Sequence, residues 1–549
     1  MTLDPTRAPW TSRNGVAFPD RVPSASRASW VARGWCPDRD LYGLFHASAR
    51  AHPRRQAVVE CGEPAGGGLD FAALDAEVRR ICALFTEAGL GAGDVIALRL
   101  PNGRHAVAAE LAVYAIGAVA LPYPLGGGRR DTLALLGRSR ARAAVFADAS
   151  DIALRDQLPD LETVFCPTPD RPGARWLGAG ARRGWRPVDV DPAAPARLLV
   201  SSGSEAEPKM VAYAHHAMAG GRANYLRALA PDGEPGRHLV LVSLASSFGS
   251  CGIVTLAALG ATLLVQPAFE PRRALAMVTA HRPTRVFAVP TMLRRLADTP
   301  PAADEDLTSV TAVVSSGADL PRETARLCGS RFNRPVITVY GSSDGVNCHT
   351  PAADSEAAAG CVGVPDPSVA AIRIAGADGR PLPPGEPGEI LARGPMTPLC
   401  YVAAPELDAR YRTDDGWVRT GDRGLLDERG RLFLLGRIKN VVLRGGYTIS
   451  AAEVERELGA HPAVAEAACV PVPDPDLGER LCACVRPAPG TPPPSLAELN
   501  VFLLRQRGLE KRKLPEHLLS VQAMPYGPTG KICRRTLTER AGARYGRRP

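Results

Sequence analysis

Lysine is scarce in this chain, with five among 549 residues, whereas lysine and arginine together number 66. The five are Lys209, Lys439, Lys511, Lys513 and Lys531. Arginine therefore carries most of the positive charge behind the formal net charge of +9, and the arginines are interspersed with acidic residues. Charge spread in this way is not the basic stripe typical of nucleic-acid-binding proteins, so we expect no nucleic-acid partner. Because lysine is so rare, each lysine is a candidate for a chemical role.

Long apolar runs are also missing. No uninterrupted run reaches the roughly 18 residues that a membrane-spanning helix needs, and the N-terminus has no hydrophobic stretch of the kind found in secretory signals. The 13 cysteines show no zinc-ligand spacing, since the closest pair, Cys482 and Cys484, has neither a second pair nor a histidine cluster beside it. These features predict a cytoplasmic protein with reduced thiols and no membrane partner.

The P-loop pattern of many nucleotide-binding proteins is absent, because no glycine precedes Lys209. A run of small residues instead follows the apolar segment Leu198-Leu199-Val200, which is typical of a buried strand. The run comprises Ser201, Ser202, Gly203 and Ser204. Small residues let backbone N–H groups approach an anion, hydroxyls donate to it, and Lys209 can supply a countercharge. The segment predicts a phosphate-binding loop, although an ordinary strand-to-helix turn has a similar composition.

A second segment follows another strand-like run and combines an aromatic ring with a carboxylate. It contains Tyr340, Gly341, Ser342, Ser343 and Asp344. The ring can form a flat wall for a nucleotide base, and the carboxylate can bind Mg²⁺. A strand-ending turn with a helix cap is the alternative interpretation.

Two further segments carry isolated charged groups. Asp422 directly follows Gly421, with Arg437 downstream, and a fixed carboxylate suits a two-pronged contact with the hydroxyls of a ribose. The segment Pro528-Thr529-Gly530-Lys531 is a tight loop that presents one lysine near the C-terminus. Taken singly, the first would be a turn and the second a solvated lysine.

Strand-like and helix-like segments alternate from Leu41 to about Gly360, which predicts an α/β fold with largely parallel, helix-covered sheets. Beyond Gly360, short segments rich in glycine, proline and charge predict hairpins and a β-subdomain. A final α+β unit of about 110 residues, a common domain size, begins near Arg437. We therefore expect a large N-terminal domain over 1–436 and a small C-terminal domain over 437–549. The residues before Leu41 lack periodicity and are expected to pack as an extended arm.

In this order, the four segments resemble those of the adenylate-forming superfamily: acyl-CoA synthetases, adenylation domains of peptide synthetases, and luciferases. The resemblance runs from about Leu41 to Leu537. Finer features are most similar to the stand-alone aryl-acid AMP ligases. They are the string from Arg444 to Glu455, Pro208-Lys209 followed by His215-His216, and the tryptophan-bearing N-terminal arm.

The resemblance implies ATP and Mg²⁺ as cofactors, and it assigns matching residues to parts of the nucleotide. The implied contacts are Ser201, Ser202, Gly203, Ser204 and Lys209 at the phosphates, Asp344 at Mg²⁺, Ser316, Gly317, Ala318, Tyr340, Gly341 and Ser342 at the adenine, and Asp422 and Arg437 at the ribose. The carboxylate of a small acid would attack the α-phosphate, giving an acyl-adenylate and pyrophosphate.

Two lysines acquire further roles through the same resemblance. Lys531 would be the catalytic residue, because its charge would stabilise the transition state. The small C-terminal domain would be mobile and would rotate about a hinge at Lys439 to admit the thiol of CoA or of a carrier-protein phosphopantetheine. A monomer or homodimer is expected.

The chain departs from the family pattern at three places. Glu205-Ala206 stands where Thr-Gly is usual, and the metal ligand is Asp344 rather than glutamate. The substrate pocket is expected to include Ser246, Ser247, Phe248 and Ser343. The two serines, aligned on Phe248, replace the His-Asn pair of aryl-acid ligases, which argues against plain salicylate or 2,3-dihydroxybenzoate as the substrate.

Three functions follow from these observations. The first is activation of a small, aromatic carboxylic acid with transfer to a thiol. The second is activation of another oxyacid such as nitrite, as in the diazotising members of the superfamily, because the carboxylate-facing His-Asn pair is missing. The third is a degenerate, non-catalytic nucleotide- or ligand-binding protein, because Glu205 would repel a triphosphate by about 1 kcal/mol at 4 Å in water.

Restoring the usual pair with Glu205→Thr and Ala206→Gly tests whether Glu205 opposes phosphate binding. We expect the KM for ATP in a pyrophosphate-release assay to stay within about twofold, the change expected when no charge lies close to the phosphates. Lys209, Asp422, Arg437 and Lys531 all match the family, which favours an intact nucleotide site with Glu205 directed to solvent. A marked fall in KM would instead identify Glu205 as a repulsive element.

Overall fold

Two eight-stranded sheets form the larger part of the molecule, and two five-stranded sheets follow them along the chain. The computed structural model describes residues 10–125, 129–181, 184–201, 209–229, 236–318, 320–343, 345, 347–349, 360–438, 441–444, 447–475, 477–527 and 531–546. Among these residues, no helix combines the length and the apolar character needed to cross a membrane.

The strands are β1 (Trp10–Thr11), β2 (Ala17–Phe18), β3 (Gln56–Glu60), β4 (Leu69–Asp70), β5 (Val95–Arg99), β6 (Val119–Pro122), β7 (Ala143–Phe146), β8 (Thr163–Cys166), β9 (Arg175–Trp176), β10 (Pro195–Ser201), β11 (Lys209–Ala214), β12 (Arg237–Val240), β13 (Thr262–Val265), β14 (Arg285–Ala288), β15 (Ala312–Ser316), β16 (Val336–Gly341), β17 (Asn347–His349), β18 (Cys361–Gly363), β19 (Ala371–Ala375), β20 (Gly388–Arg393), β21 (Cys400–Tyr401), β22 (Val418–Leu426), β23 (Leu432–Arg437), β24 (Val441–Arg444), β25 (Tyr447–Ser450), β26 (Val464–Asp474), β27 (Gly478–Pro487) and β28 (His517–Ser520).

The α-helices are α1 (Ser24–Ala32), α2 (Leu41–Ala51), α3 (Phe71–Glu87), α4 (Arg104–Ala115), α5 (Arg129–Ser139), α6 (Ala149–Ile152), α7 (His215–Ala217), α8 (Ala223–Ala228), α9 (Cys251–Leu259), α10 (Pro271–His281), α11 (Pro290–Asp298), α12 (Arg322–Phe332), α13 (Pro405–Tyr411), α14 (Ala451–Leu458), α15 (Leu496–Arg505) and α16 (Arg534–Tyr545). Ala153–Gln157 and Lys511–Lys513 form 3₁₀ helices, and Met218–Arg222 forms a π-helix.

The two large sheets share one design. The first has the order β21-β11-β10-β6-β5-β7-β8-β9, and the second has the order β17-β16-β15-β14-β12-β13-β3-β4. Most inner strands pair in parallel, but in each sheet a hairpin reverses the chain: β10 pairs antiparallel with β11, and β16 with β17. Helices α2, α3, α4 and α9 and strands of both sheets contribute to a single apolar core. The predicted α/β class with helix-covered, largely parallel sheets is therefore confirmed.

The other three sheets of the described residues are smaller, and one of them is the two-stranded antiparallel pair of β1 and β2. The β-subdomain is antiparallel, with the order β18-β23-β22-β20-β19. The last sheet has the order β25-β24-β27-β26, with β28 parallel to β27, and it packs against α14, α15 and α16 through two apolar clusters. Ser450 caps α14, and Ser495 forms a capping box with Glu498 on α15, which fixes where these helices begin.

The N-terminal segment contains a helix, so the prediction of an extended arm was wrong there. Helix α1 is nine residues long and buries Arg27 and Trp30. Arg27 Nη2 donates to Asp20 Oδ1 at 2.8 Å, which neutralises the half-buried charge. A helix this short, with so few buried positions, shows no apolar period in the sequence.

The loop after β10 leads into a strand, so the alternative of a strand-to-helix turn was also wrong. Ser201 and Lys209 face each other across the hairpin. The side chains of β11 alternate between two apolar cores: Val211 and Tyr213 lie in one, and Met210 and Ala212 lie in the other. This period of two is the pattern of a strand buried on both faces. Residues 202–208 lie outside the described part of the chain.

A buried ion pair supports the segment that carries Ser246. Arg197 on β10 is fully buried and forms an ion pair with Glu110 on α4, to which Tyr114 also donates a hydrogen bond. The second guanidinium nitrogen of Arg197, Nη2, donates to the carbonyl oxygen of Leu244 at 2.6 Å. The pair therefore anchors the chain just before the expected substrate pocket.

Glu110→Ala is expected to lower the free energy of unfolding by about 3–5 kcal/mol, because it leaves the charge of Arg197 buried without a partner. Glu323→Ala is the matched control, since Glu323 pairs with Arg326 on the surface, and its cost should stay below about 1 kcal/mol. Urea unfolding followed by tryptophan fluorescence measures both. Equal costs for the two variants would contradict the anchoring role of Arg197.

Candidate active site

The two reversing hairpins lie next to each other. Tyr213 on β11 donates its hydroxyl hydrogen bond to the carbonyl oxygen of Ser343, which follows β16, at 2.7 Å. The second strand of the first sheet's hairpin is thereby joined to the segment that precedes Asp344. Asp344 itself lies outside the described residues, as do Ser202, Gly203, Ser204 and the predicted hinge residue Lys439.

A buried carboxylate lies beside these hairpins. Asp422 is 4% exposed and is held on both oxygens: Tyr340 donates to Oδ2 at 2.6 Å, and Arg437 Nε lies 2.7 Å from Oδ1. The backbone N–H of Asp422 donates to the hydroxyl of Thr420 at 3.1 Å, which fixes its main chain. Burial, and then the nearby Asp422 charge, raise the pKa of Tyr340 well above its usual value, so its hydroxyl stays a proton donor.

Strand pairing explains why Asp422 and Arg437 meet. They are cross-strand partners of β22 and β23, in register despite the bulge between Arg423 and Gly424. Gly421 has φ of 70°, a left-handed conformation that glycine adopts at low cost. The Gly-Asp segment is therefore part of a bulged strand rather than the isolated turn that its composition suggests.

Lys531, in the C-terminal unit, lies beside Gly317 and close to Asp422 and Arg437, and the region between these residues is called the cleft below. Gly317, with φ of 94°, leaves room beside it: a Cβ atom at this position would lie 3.8 Å from Lys531 Cε and 3.3 Å from Val289 Cγ1. Desolvation and then the charge of Arg437 lower the pKa of Lys531, while Asp422 opposes the shift. Lys531 is exposed to solvent, yet the protein around it removes part of its hydration.

Lys209 is the first residue of β11 and is paired with Ser201, the last residue of β10. Its Nζ lies 4.4 Å from the ring centroid of Tyr411, at the end of α13, in cation–π geometry. This contact holds the ammonium group at the loop predicted to bind phosphate, opposite Ser201. The role of Tyr411 was not predicted from the sequence, in which nothing links this tyrosine to Lys209.

The predicted pocket serines have different surroundings. Ser246 supports a turn, since its hydroxyl donates to the carbonyl oxygen of Ser243 at 2.7 Å and accepts from the N–H of Gly249 at 2.9 Å. Ser247 Oγ instead accepts from Arg222 Nη2 at 3.3 Å. Phe248 packs edge-on against Phe287, with ring centroids 6.0 Å apart. The structure thus places Ser247 beside a charged side chain that sequence reasoning missed.

The described site brings together five of the predicted residues around one cleft: Gly317, Tyr340, Asp422, Arg437 and Lys531. The site suits a ligand that has both anionic oxygens and hydroxyl groups. An arginine and a lysine can bind the anionic oxygens, and the buried carboxylate can accept from the hydroxyls. Ser316 ends β15 directly before this cleft, and Gly341 ends β16. Ala318 follows Gly317, and Ser342 follows Gly341, so both lie just beyond the ends of these strands.

Comparison with known protein families identifies the family to which this chain belongs. The AMP-binding enzyme family matches residues 45–402, and the AMP-binding enzyme C-terminal domain matches residues 453–531. The chain therefore belongs to the AMP-binding enzyme family, whose members are adenylate-forming ligases that use ATP.

Individual proteins with known activities are also similar to this chain. The chain is 32% identical over 541 residues to the salicyl-AMP ligase / salicyl-S-ArCP synthetase of Mycobacterium tuberculosis, covering 95% of this chain and 94% of the relative. It is 30% identical to the salicylyl-CoA synthase / salicylate adenylyltransferase of a Streptomyces species, with coverage of 96% and 98%. The solved amide bond synthetase McbA of Marinactinospora thermotolerans matches with a TM-score of 0.78 and 28% identity, over 90% of this chain and 99% of that one.

Tyr340→Phe tests whether the hydroxyl on Asp422 supports nucleotide binding. Loss of a hydrogen bond to a buried charge costs about 1.5–3 kcal/mol, so we expect the KM for ATP to rise roughly tenfold or more. Tyr42→Phe is the matched control, because Tyr42 donates to Asp75 at 2.9 Å away from the cleft. An equal KM for ATP in both variants would exclude a nucleotide role for the Tyr340 hydroxyl.

Proposed function

We propose that this protein activates a small, aromatic carboxylic acid with ATP and passes the acyl group to a thiol. One carboxylate oxygen attacks the α-phosphorus, the bond to the bridging oxygen breaks, and pyrophosphate leaves. In the second step a thiolate attacks the acyl carbon, the carbon–oxygen bond to AMP breaks, and a thioester forms. The observation that carries the proposal is the convergence of Lys531 with Asp422 and Arg437 in one cleft.

The residues in this cleft fit a nucleotide. Asp422 would accept from the ribose hydroxyls and Arg437 would contact the same sugar, with Tyr340 holding the carboxylate in place. The Ser316-Gly317-Ala318 turn would lie along the adenine, where the missing Cβ of Gly317 permits close approach. Ser201, Ser202, Gly203, Ser204 and Lys209 would surround the leaving phosphates.

A metal completes the expected site. Mg²⁺ would neutralise charge on the phosphates, with Asp344 as its protein ligand. Asp344 follows Ser343, whose carbonyl oxygen accepts a hydrogen bond from Tyr213 at 2.7 Å, so the backbone directly before the proposed ligand is held. The chemistry of the donor, an oxygen ligand beside a triphosphate site, suits a hard divalent cation.

Lys531 would act on the transition state rather than on the resting nucleotide. A cation that has lost part of its hydration interacts more strongly with developing negative charge, because the local dielectric is low. Its lowered pKa arises from that same desolvation, and Asp422 favours the charged form. The lysine thus supplies a positioned charge without taking a proton from the acid.

The acceptor step requires a different arrangement of the two units. We propose a boundary between residues 436 and 437, with rotation about Lys439, so that Lys531 leaves the cleft and opens a path for the thiol of CoA or a carrier protein. The two proposed units contact each other beside this boundary, since Ser450 Oγ donates to the carbonyl oxygen of Leu435 at 3.1 Å. A cytoplasmic monomer or homodimer is consistent with this cycle.

The substrate is proposed from the relatives and adjusted by the pocket. Relatives named for salicylate support an aromatic acid. In this chain Ser246 is bonded within its own turn and Ser247 contacts Arg222, so the pocket differs in polarity from one that carries a His-Asn pair. We therefore propose an aryl acid other than plain salicylate.

Lys531→Ala is expected to reduce acid-dependent pyrophosphate release by about 10²–10³-fold, because a preorganised charge on the transition state is lost. Initial rates are measured across aryl acids, amino acids and nitrite. Lys511→Ala is the matched control, since Lys511 is exposed on a short helix of the same C-terminal unit.

The outcomes separate the alternatives. Undiminished turnover in Lys531→Ala would contradict the assigned role of this lysine. Release with nitrite alone would favour the oxyacid function. Absence of both turnover and ATP binding would identify a non-catalytic protein. Thioester formation with CoA or with a phosphopantetheine carrier identifies the acceptor.

A further inference from the structure

Arg222 is a fully buried cation at the edge of the expected acid pocket. It is the last residue of the π-helix Met218–Arg222 and is 1% exposed. Within the described residues no aspartate or glutamate pairs with it. Arg197 is the other arginine among the largest fully buried side chains, and it pairs with Glu110. Arginine is almost never fully buried without a partner, so the contrast requires an explanation.

The neighbours of Arg222 are neutral. Its Nη1 donates to the carbonyl oxygen of Ser247 at 2.9 Å, and Nη2 to the hydroxyl of Ser247 at 3.3 Å. The guanidinium carbon lies 5.1 Å from the ring centroid of Tyr213, and the Cys251 thiol is a further hydrogen-bonding neighbour. Nε is buried and has no hydrogen-bond partner among the residues that the structure describes. These contacts orient the guanidinium but leave its charge and part of its donor capacity unused.

The backbone that carries Arg222 is tightly fixed. A Cβ on Gly220 would lie 2.7 Å from the carbonyl oxygen of Trp35, and a Cβ on Gly221 would lie 2.4 Å from the N atom of Met396. The π-helix is therefore packed closely between the segment that contains Trp35 and the segment that contains Met396. π-helical turns of this kind occur frequently at functional sites, where they re-aim a side chain.

Tyr213 separates Arg222 from the reaction centre. The face of its ring contacts the guanidinium, while its hydroxyl reaches Ser343, next to the proposed metal ligand. A carboxylate reacting at the phosphates would thus lie toward the hydroxyl end of the ring. A group bound by Arg222 would lie beyond it, beside Ser247.

We propose that Arg222 is a specificity-determining residue that binds a second anionic group of the acid substrate, separate from the carboxylate that is activated. The proposal rests on the acid-activating function. The occupant's chemistry is a carboxylate or sulfonate, because such a group neutralises the buried guanidinium and accepts from its unused N–H groups. Ser246 and Ser247 have smaller side chains than the His-Asn pair of aryl-acid ligases, and the second anionic group would lie beside Ser247.

The experiment compares acids that differ only by the second charge. Initial rates of pyrophosphate release are measured with benzoate, the three benzenedicarboxylates and the sulfobenzoates. We expect at least one dianionic acid to exceed benzoate in kcat/KM by about 100-fold, the upper range for hydrogen bonds to a charged group. In Arg222→Met this ratio should fall close to one with the KM for ATP unchanged, and Arg222→Lys should keep part of it.

Arg227→Met is the matched control, since Arg227 is an exposed arginine on the following helix, bonded to Asn224. It should leave the ratio unchanged. Thermal unfolding adds an independent readout: without ligand, Arg222→Met should be as stable as the wild type or more stable, because an unpaired buried charge is removed.

Each contrary result is informative. No turnover with any acid contradicts the proposed function itself. Wild-type kcat/KM for benzoate equal to or above that of every dianionic acid overturns the role of Arg222 alone, whether or not a variant folds. An equal loss for all acids in Arg222→Met places the arginine on the reacting carboxylate and also overturns it. A lower melting temperature with an unchanged ratio shows a purely structural residue.

Discussion

The hydrogen-bonded carboxylate of Asp422 joins the three parts of the molecule on which the site depends. Tyr340 reaches it from the second large sheet, Asp422 itself belongs to the β-subdomain, and Arg437 stands where the chain leaves for the C-terminal unit. A charge that is 4% exposed is costly unless it is paired and hydrogen-bonded, and here both oxygens are satisfied. The contact therefore links three elements of the molecule at one carboxylate.

The two reversing hairpins give the site its second constraint. In a purely parallel sheet each strand would be followed by a crossover helix, and the segment after the strand would lie at a helix N-terminus. Here β10 and β16 are each followed by an antiparallel strand, and Tyr213 ties the second hairpin to the first. Strand pairing therefore holds Ser201 opposite Lys209 in the first sheet and Gly341 opposite Asn347 in the second.

The fold class could be predicted from the sequence because it depends on periodicity, and the alternation of apolar segments extends over most of the chain. Local geometry was harder to predict from the sequence. The segment around Asp422 was compatible with a turn, since the register that pairs it with Arg437 involves a bulge that no local pattern reveals. Helix α1 escaped notice because it is short and buries only two side chains.

The same distinction applies to the site. Lys531 stood out because lysine is rare and because it follows Pro-Thr-Gly in the sequence, and the structure places it beside Gly317. Arg222 could not stand out in a chain where arginine is abundant; only its burial and its neutral neighbours single it out. Arg197 shows what a buried arginine needs for stability, an acid at its tip and a carbonyl beside it. A protein that leaves Arg222 without that acid gives up stability in the unliganded state, and binding of a complementary anion would restore it, because a ligand that binds only the native state stabilises it.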